Sequence, residues 1–137
     1  MAKDVFDSFR NCVADVHAEL KRIEFTHDSL NEKIAKLEKE GVVNASPHWK
    51  DGKYLVLVHP DGAFTKIVDG KEVPYRKREY IGLESEKTDE ALAKLARYDE
   101  WVKLTAERDR IHGRLSEWNT RMNCFLSEMK WLKKQKV

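Results

Sequence analysis

The chain has 137 residues, of which 36% are charged, with 26 Lys and Arg against 24 Asp and Glu for a formal net charge of +2. This length fits a single domain, and so balanced a charge excludes the basic excess of a dedicated nucleic-acid binder. The charged fraction lies above the roughly 25% of an average domain, which favours long solvated helices over a compact globule.

Asp4, Asp7 and Asp15 interrupt the apolar residues of the N-terminus, and no apolar run approaches the ~18 residues of a membrane span. Neither a secretory leader nor a membrane segment is expected. Cys12 and Cys124 form no metal or redox motif. A reduced, cytoplasmic protein is the expectation.

The first element is a helix over 5–40. From Phe6 the apolar residues step by three and four: Phe9, Val13, Val16, Leu20, Ile23, then His27, then Leu30, Ile34 and Leu37. Alternating threes and fours make the seam of a coiled coil. Asp4 is placed to cap its start, and Gly41 to stop it.

Residues 47–82 change character. Pro47, Asp51-Gly52, Pro60-Asp61-Gly62, Asp69-Gly70 and Pro74 are turn signals. The runs between them, Lys53–His59, Phe64–Val68 and Lys71–Ile81, predict a three-stranded antiparallel β-meander. Asp69-Gly70 suits a type I′ hairpin turn, in which both central residues need positive φ. Tyr54-Leu55-Val56-Leu57-Val58 is apolar on both faces, whereas a strand with one wet face alternates. One face can rest on the second helix. The other, carrying Tyr54, Val56 and Val58, is expected to meet another chain.

The second helix is predicted over 88–134, with Thr88 as its cap and Asp89 and Glu90 in its first turn. Trp101, Leu104, Arg108, Ile111, Leu115, Trp118, Met122, Phe125, Met129 and Leu132 form its ladder. Ala91, Leu92, Leu95 and Tyr98 keep another phase, as a three-residue slip produces, and are free to face the sheet.

Laid antiparallel, the two ladders pair Leu37 with Trp101 and continue to Phe6 with Leu132. Lys33 then faces Glu107, Glu19 faces Arg121, Glu24 faces His112, and Glu40 meets Glu100 as the one like-charge pair. The predicted fold is therefore α+β: a long antiparallel two-helix coiled-coil hairpin with the β-meander inserted at the bend, dimerising. His27 and Arg108 fall in adjacent seam layers. They read as a polar register lock in preference to a pH switch.

Phe25 and Trp131 occupy outer heptad positions, where a second pair of helices could cover them. With Tyr54, Val56 and Val58 they are the expected partner or dimer contacts. The segment Tyr75-Arg76-Lys77-Arg78-Glu79-Tyr80 sets cations between tyrosines. Trp49, Lys53, Arg76, Lys77, Arg78 and Tyr80 are accordingly the candidate nucleic-acid contacts, since aromatics beside cations suit single strands. Against this, the insert holds seven Lys and Arg (50, 53, 66, 71, 76, 77, 78) and five Asp and Glu (51, 61, 69, 72, 79), an excess of only two. Basic residues also protect a sheet edge from aggregation. Lys130, Lys133, Lys134 and Lys136 complement the C-terminal helix dipole.

The five histidines, 17, 27, 48, 59 and 112, show no zinc spacing, although His48 and His59 could approach within the sheet. No phosphate loop or nucleophile elbow is present. No catalytic residue, cofactor or metal ion is expected. In outline, helix, β insert and antiparallel helix resembles the β-type prefoldin subunits and some phage proteins that bind DNA ends. No residue motif carries either likeness, so no residue role follows from it. The leading expectation is a scaffold, adaptor or inhibitory protein acting on other proteins as a homodimer. The alternative is a nucleic-acid-binding accessory protein of the kind carried by phages and mobile elements.

Overall fold

The computed structural model describes residues 2–60, 62 and 64–134. Asp61 of the turn signals and Lys136 of the terminal lysine cluster lie outside them. Two helices, α1 (Ala2–Glu40) and α2 (Glu86–Lys134), flank five strands: β1 (Ser46–Lys50), β2 (Tyr54–Val58), β3 (Phe64–Val68), β4 (Lys71–Tyr75) and β5 (Arg78–Leu83). The class is α+β, with small antiparallel sheets between the helices. The chain divides into two compact units, one of Met1–Lys33 with Leu104–Val137 and one of Ile34–Lys103.

In the second unit, the predicted three-strand meander is realised as five strands in two sheets. One sheet has the order β1-β2-β5, and β3 pairs with β4 as a separate ribbon. Two local features account for the difference. Pro47, taken as a turn signal, lies inside β1, an edge strand, where a missing N–H costs no ladder bond. The run Lys71–Ile81 breaks just after Pro74 into β4 and β5. Asp69 and Gly70 do adopt the positive φ angles of the I′ turn, 51° and 77°.

Strand β2 alternates in burial, as a strand covered fully on one face only does. Leu55 and Leu57 point inward, 0% and 2% exposed, and pack with Ala91, Val43, Ala45, Ile81, Leu92 and Leu95. Burying each leucine contributes roughly 1.5–3 kcal/mol. The off-phase residues Ala91, Leu92 and Leu95 of α2 thus form the floor under the sheet.

Helix α2 begins two residues before the expected position, and Thr88 is not its cap. Ser85 precedes the helix, its carbonyl accepting from Asp89 N–H at 3.1 Å. Thr88 lies three residues on, fully buried. Its Oγ1 accepts from Ser85 N–H at 2.8 Å and donates to Ser85 O at 2.7 Å. This is the reciprocal arm of a capping box, made by a hydroxyl in place of the usual carboxylate. Helix α1 also starts early, which puts Asp4 in its first turn. Gly41, at φ 102°, ends it with a hydrogen bond to Leu37 O. Glu40, expected to meet Glu100, has the Arg97 Nε 3.6 Å from its carboxylate. Trp101 stacks on Tyr98 at 5.7 Å and donates from Nε1 to Glu38 at 3.0 Å.

In the first unit, Leu30 is buried, and Ile23, Ile111 and Leu115 are half-buried. Beyond them the ladder residues of both helices are exposed, up to 62% for Phe6 and 64% for Leu132. Phe9 stacks on Phe125 at 5.7 Å, diagonal to its expected opposite number, Met129. The flanking charges pair along their own helices: Glu19 bonds Arg22 at 2.8 Å, and Glu107 bonds Arg110. Three residues apart on one helix surface is close enough for such pairs to form without a partner helix.

Candidate functional site

Two surfaces carry features that the fold itself does not use. The first is an open groove of about 1070 Å3 in the helical unit. Val16, Leu20 and Ile23 of α1 line one wall, and Leu115, Trp118 and Met122 of α2 line the other. Their rims differ in charge. Asp15 and Glu19, with Arg22 bonded to Glu19, leave the α1 wall one negative charge in excess, while Arg121 and His112 stand on the α2 wall. Phe25 and Trp131 are among the most exposed large side chains, at 76% and 61%. His27 and Arg108 are half-buried. His27 Nδ1 lies 3.3 Å from the Asn31 amide, and Arg108 donates to its neighbour Asp109 at 3.3 Å.

The second surface is the outer face of the β1-β2-β5 sheet. Cross-strand partners share a face. The register therefore sets Ser46, Val58 and Arg78 in one row and His48, Val56 and Tyr80 in the next. A third row holds Lys50, Tyr54 and Leu83, with the Tyr54 and Tyr80 rings 6.0 Å apart. Tyr54, Val56 and Val58 are half-buried there.

The six residues grouped as nucleic-acid contacts do not share one surface. Trp49 pairs with Leu55, which points inward, so it lies on the opposite face from Tyr80. Lys53 sits in the β1–β2 turn, where its N–H donates to Lys50 O at 3.1 Å. The ammonium of Lys77 rests over the Phe64 ring, 4.7 Å from its centre, a cation–π contact.

Arg76 and Arg78 do converge. Both line a pocket of about 460 Å3 at the end of the sheet where β1 and β5 begin and β2 ends. His48, His59, Ser46 and Asn44 line it as well. The N–H of His59 donates to Lys77 O at 2.8 Å, which ties the end of β2 to the residue between the two arginines. His59 is nearly buried, its ring edge-on to Phe64 at 5.0 Å and its Nε2 3.2 Å from Glu79 Oε2. Sequence reasoning set His48 beside the cations as an aromatic but did not group Ser46 and His59 with the arginines. The available signal was the His48/His59 pairing, and the obstacle was Pro47, which hid β1.

Among the described residues, no group of three or more His, Cys, Asp or Glu is arranged to hold a metal ion, and no helix is long and apolar enough to cross a membrane. Cys12 and Cys124 are exposed free thiols. Comparison with protein-family models, with curated proteins and with solved structures gives no match for this chain.

Proposed function

We propose that this protein is a non-catalytic scaffold or adaptor that works as a homodimer through protein–protein contacts. In this reading α1 and α2 form an antiparallel coiled-coil hairpin, and a second copy closes the groove between them into a four-helix arrangement. The carrying observation is the exposure of ladder residues on both helices, among them Leu20, Trp118 and Met122. Exposed apolar surface of this extent marks an interaction face.

Size and charge support a second copy as the occupant. A two-helix face about 48 Å long and roughly 20 Å wide offers on the order of 900 Å2 per copy, the size of a standard stable interface. A two-fold axis parallel to the helices sets the Asp15 wall of one copy opposite the Arg121 wall of the other. The outer sheet face with Tyr54, Val56 and Val58, together with Phe25 and Trp131, then serves the partner protein. Sedimentation equilibrium at high micromolar concentration tests this. A mass of twice 16.1 kDa is expected, and a strict monomer overturns the proposal.

A second reading, a nucleic-acid-binding accessory protein, is favoured by one observation: Arg76 and Arg78 line the same pocket. It is tested by retention of a single-stranded oligonucleotide at low salt, weakening steeply as salt rises.

A further inference from the structure

The geometry points to a phosphate-binding site in the pocket at the end of the three-stranded sheet, formed around Arg76, Arg78, His48 and Ser46. Its ligand is the phosphate group of a free nucleotide or of a nucleic-acid strand. The inference rests on the second reading and gives it a specific site.

Four observations combine. Arg76 and Arg78 both line one pocket, and planar guanidinium forks are the side chains best shaped to hold phosphate oxygens. His48 and Ser46 reach the same pocket from β1, the opposite edge of the sheet, adding imidazole and hydroxyl donors. Among the described lining residues no carboxylate stands beside Arg78. The nearest acid in the strand, Glu79, is turned to His59, and Arg78 has no ion-pair partner among the described residues.

Local chemistry fixes this arrangement. Lys77 turns onto Phe64, and His59 N–H holds Lys77 O, so the residues on either side of Lys77 are sent together into the pocket. Pro47 and Pro60 stiffen its walls. An edge strand that needs only protection from aggregation requires a charge aimed at water. It does not require donors from the far edge of the sheet around a common cavity. At about 460 Å3, the cavity falls within the usual range for a small-molecule pocket.

The experiment titrates isotopically labelled full-length protein, at low salt, with inorganic phosphate, with a mononucleotide and with a single-stranded oligonucleotide, following amide resonances. Phosphate and mononucleotide are expected to shift Ser46, His48 and Arg78. Arg78→Gln should weaken each ligand about tenfold. Lys66→Gln, which removes a cation lying over Tyr75 instead, should leave binding unchanged. Unperturbed resonances elsewhere show that each variant folds. An oligonucleotide far tighter than the mononucleotide, with that advantage lost in Arg78→Gln, assigns the phosphate to a strand. Pocket shifts with phosphate and mononucleotide but no oligonucleotide binding keep the site and reject the nucleic-acid reading. Oligonucleotide binding untouched by Arg78→Gln overturns the site and leaves that reading standing. Silence with all three ligands overturns both.

Discussion

Arg97 donates from one nitrogen, Nη1, to two successive carbonyl oxygens where α1 ends, that of its last residue Glu40 at 2.9 Å and that of Gly41 just beyond it at 2.8 Å. Helix-terminal carbonyls have no N–H of their own helix to receive, and a cation there also complements the dipole. The contact joins residues 57 and 56 positions apart, so it anchors the helix end within its unit. Arg97→Ala is expected to lower the free energy of unfolding by about 1.5–3 kcal/mol, the range for hydrogen bonds to a charged group. Arg97→Lys should recover part of the loss, because it keeps the charge without the fork. Urea denaturation measures both, and an unchanged midpoint for the alanine variant would count against the anchor.

The hydroxyl of Thr88 carries a second expectation. It is fully buried and bonded to both the N–H and the carbonyl of Ser85. Thr88→Val keeps the shape but leaves the Ser85 N–H without its acceptor, at a cost of about 1–3 kcal/mol. Thr88→Ser keeps the hydroxyl and should lose less. If thermal melts place valine above serine, the reciprocal bond is not what holds this helix start.

Two apolar residues in the β region should respond to truncation to very different degrees. Leu55 is fully buried and Ile67 is 77% exposed. Leu55→Ala should destabilise by about 2–5 kcal/mol through lost transfer energy and the cavity left behind. Ile67→Ala should fall within about 0.5 kcal/mol of the parent. Equal effects in parallel denaturation series would show that the sheet does not pack on the floor formed by Ala91, Leu92 and Leu95.

The proposed dimer makes a sharper demand on the groove. Leu20 and Met122 are 45% and 48% exposed, so a glutamate at either position is tolerated by an isolated chain. In a closed four-helix core the same carboxylate is buried without a partner. Leu20→Glu and Met122→Glu should therefore raise the dimer dissociation constant at least about 100-fold, as loss of a central interface residue does. Helical circular dichroism per residue should be retained. Sedimentation that leaves both variants dimeric removes the groove as the interface.

The legible parts of the fold were those set by neighbours in the chain. The ladders on α1 and α2 announce two long helices, Gly41 announces where the first one ends, and Asp69-Gly70 announces its turn. Leu92 and Leu95, out of phase with the main ladder, were readable as the floor for β2. The strand β1 was not readable, because a proline forbids a central strand but not an edge one, and edge position is a property of the sheet. Thr88 misled for a similar reason. A threonine before two acids suits a helix cap, and the folded chain used Ser85, with Thr88 as its reciprocal partner. The charges flanking the helices were expected to pair across them, yet Glu19 and Glu107 found Arg22 and Arg110 one turn away.

The candidate site divides along the same line. Chain order and side-chain alternation were enough to set Arg76 and Arg78 apart from Lys77, because that pattern is local. They could not bring Ser46 and His48 to the arginines, nor send Trp49 to the other face. Those placements depend on the pairing of β1 with β2 and of β2 with β5, where each one-residue slip turns every side chain over. Periodicity therefore determined the two helices and the inward face of β2, and strand register, fixed only when distant segments pair, decided which cations share a pocket.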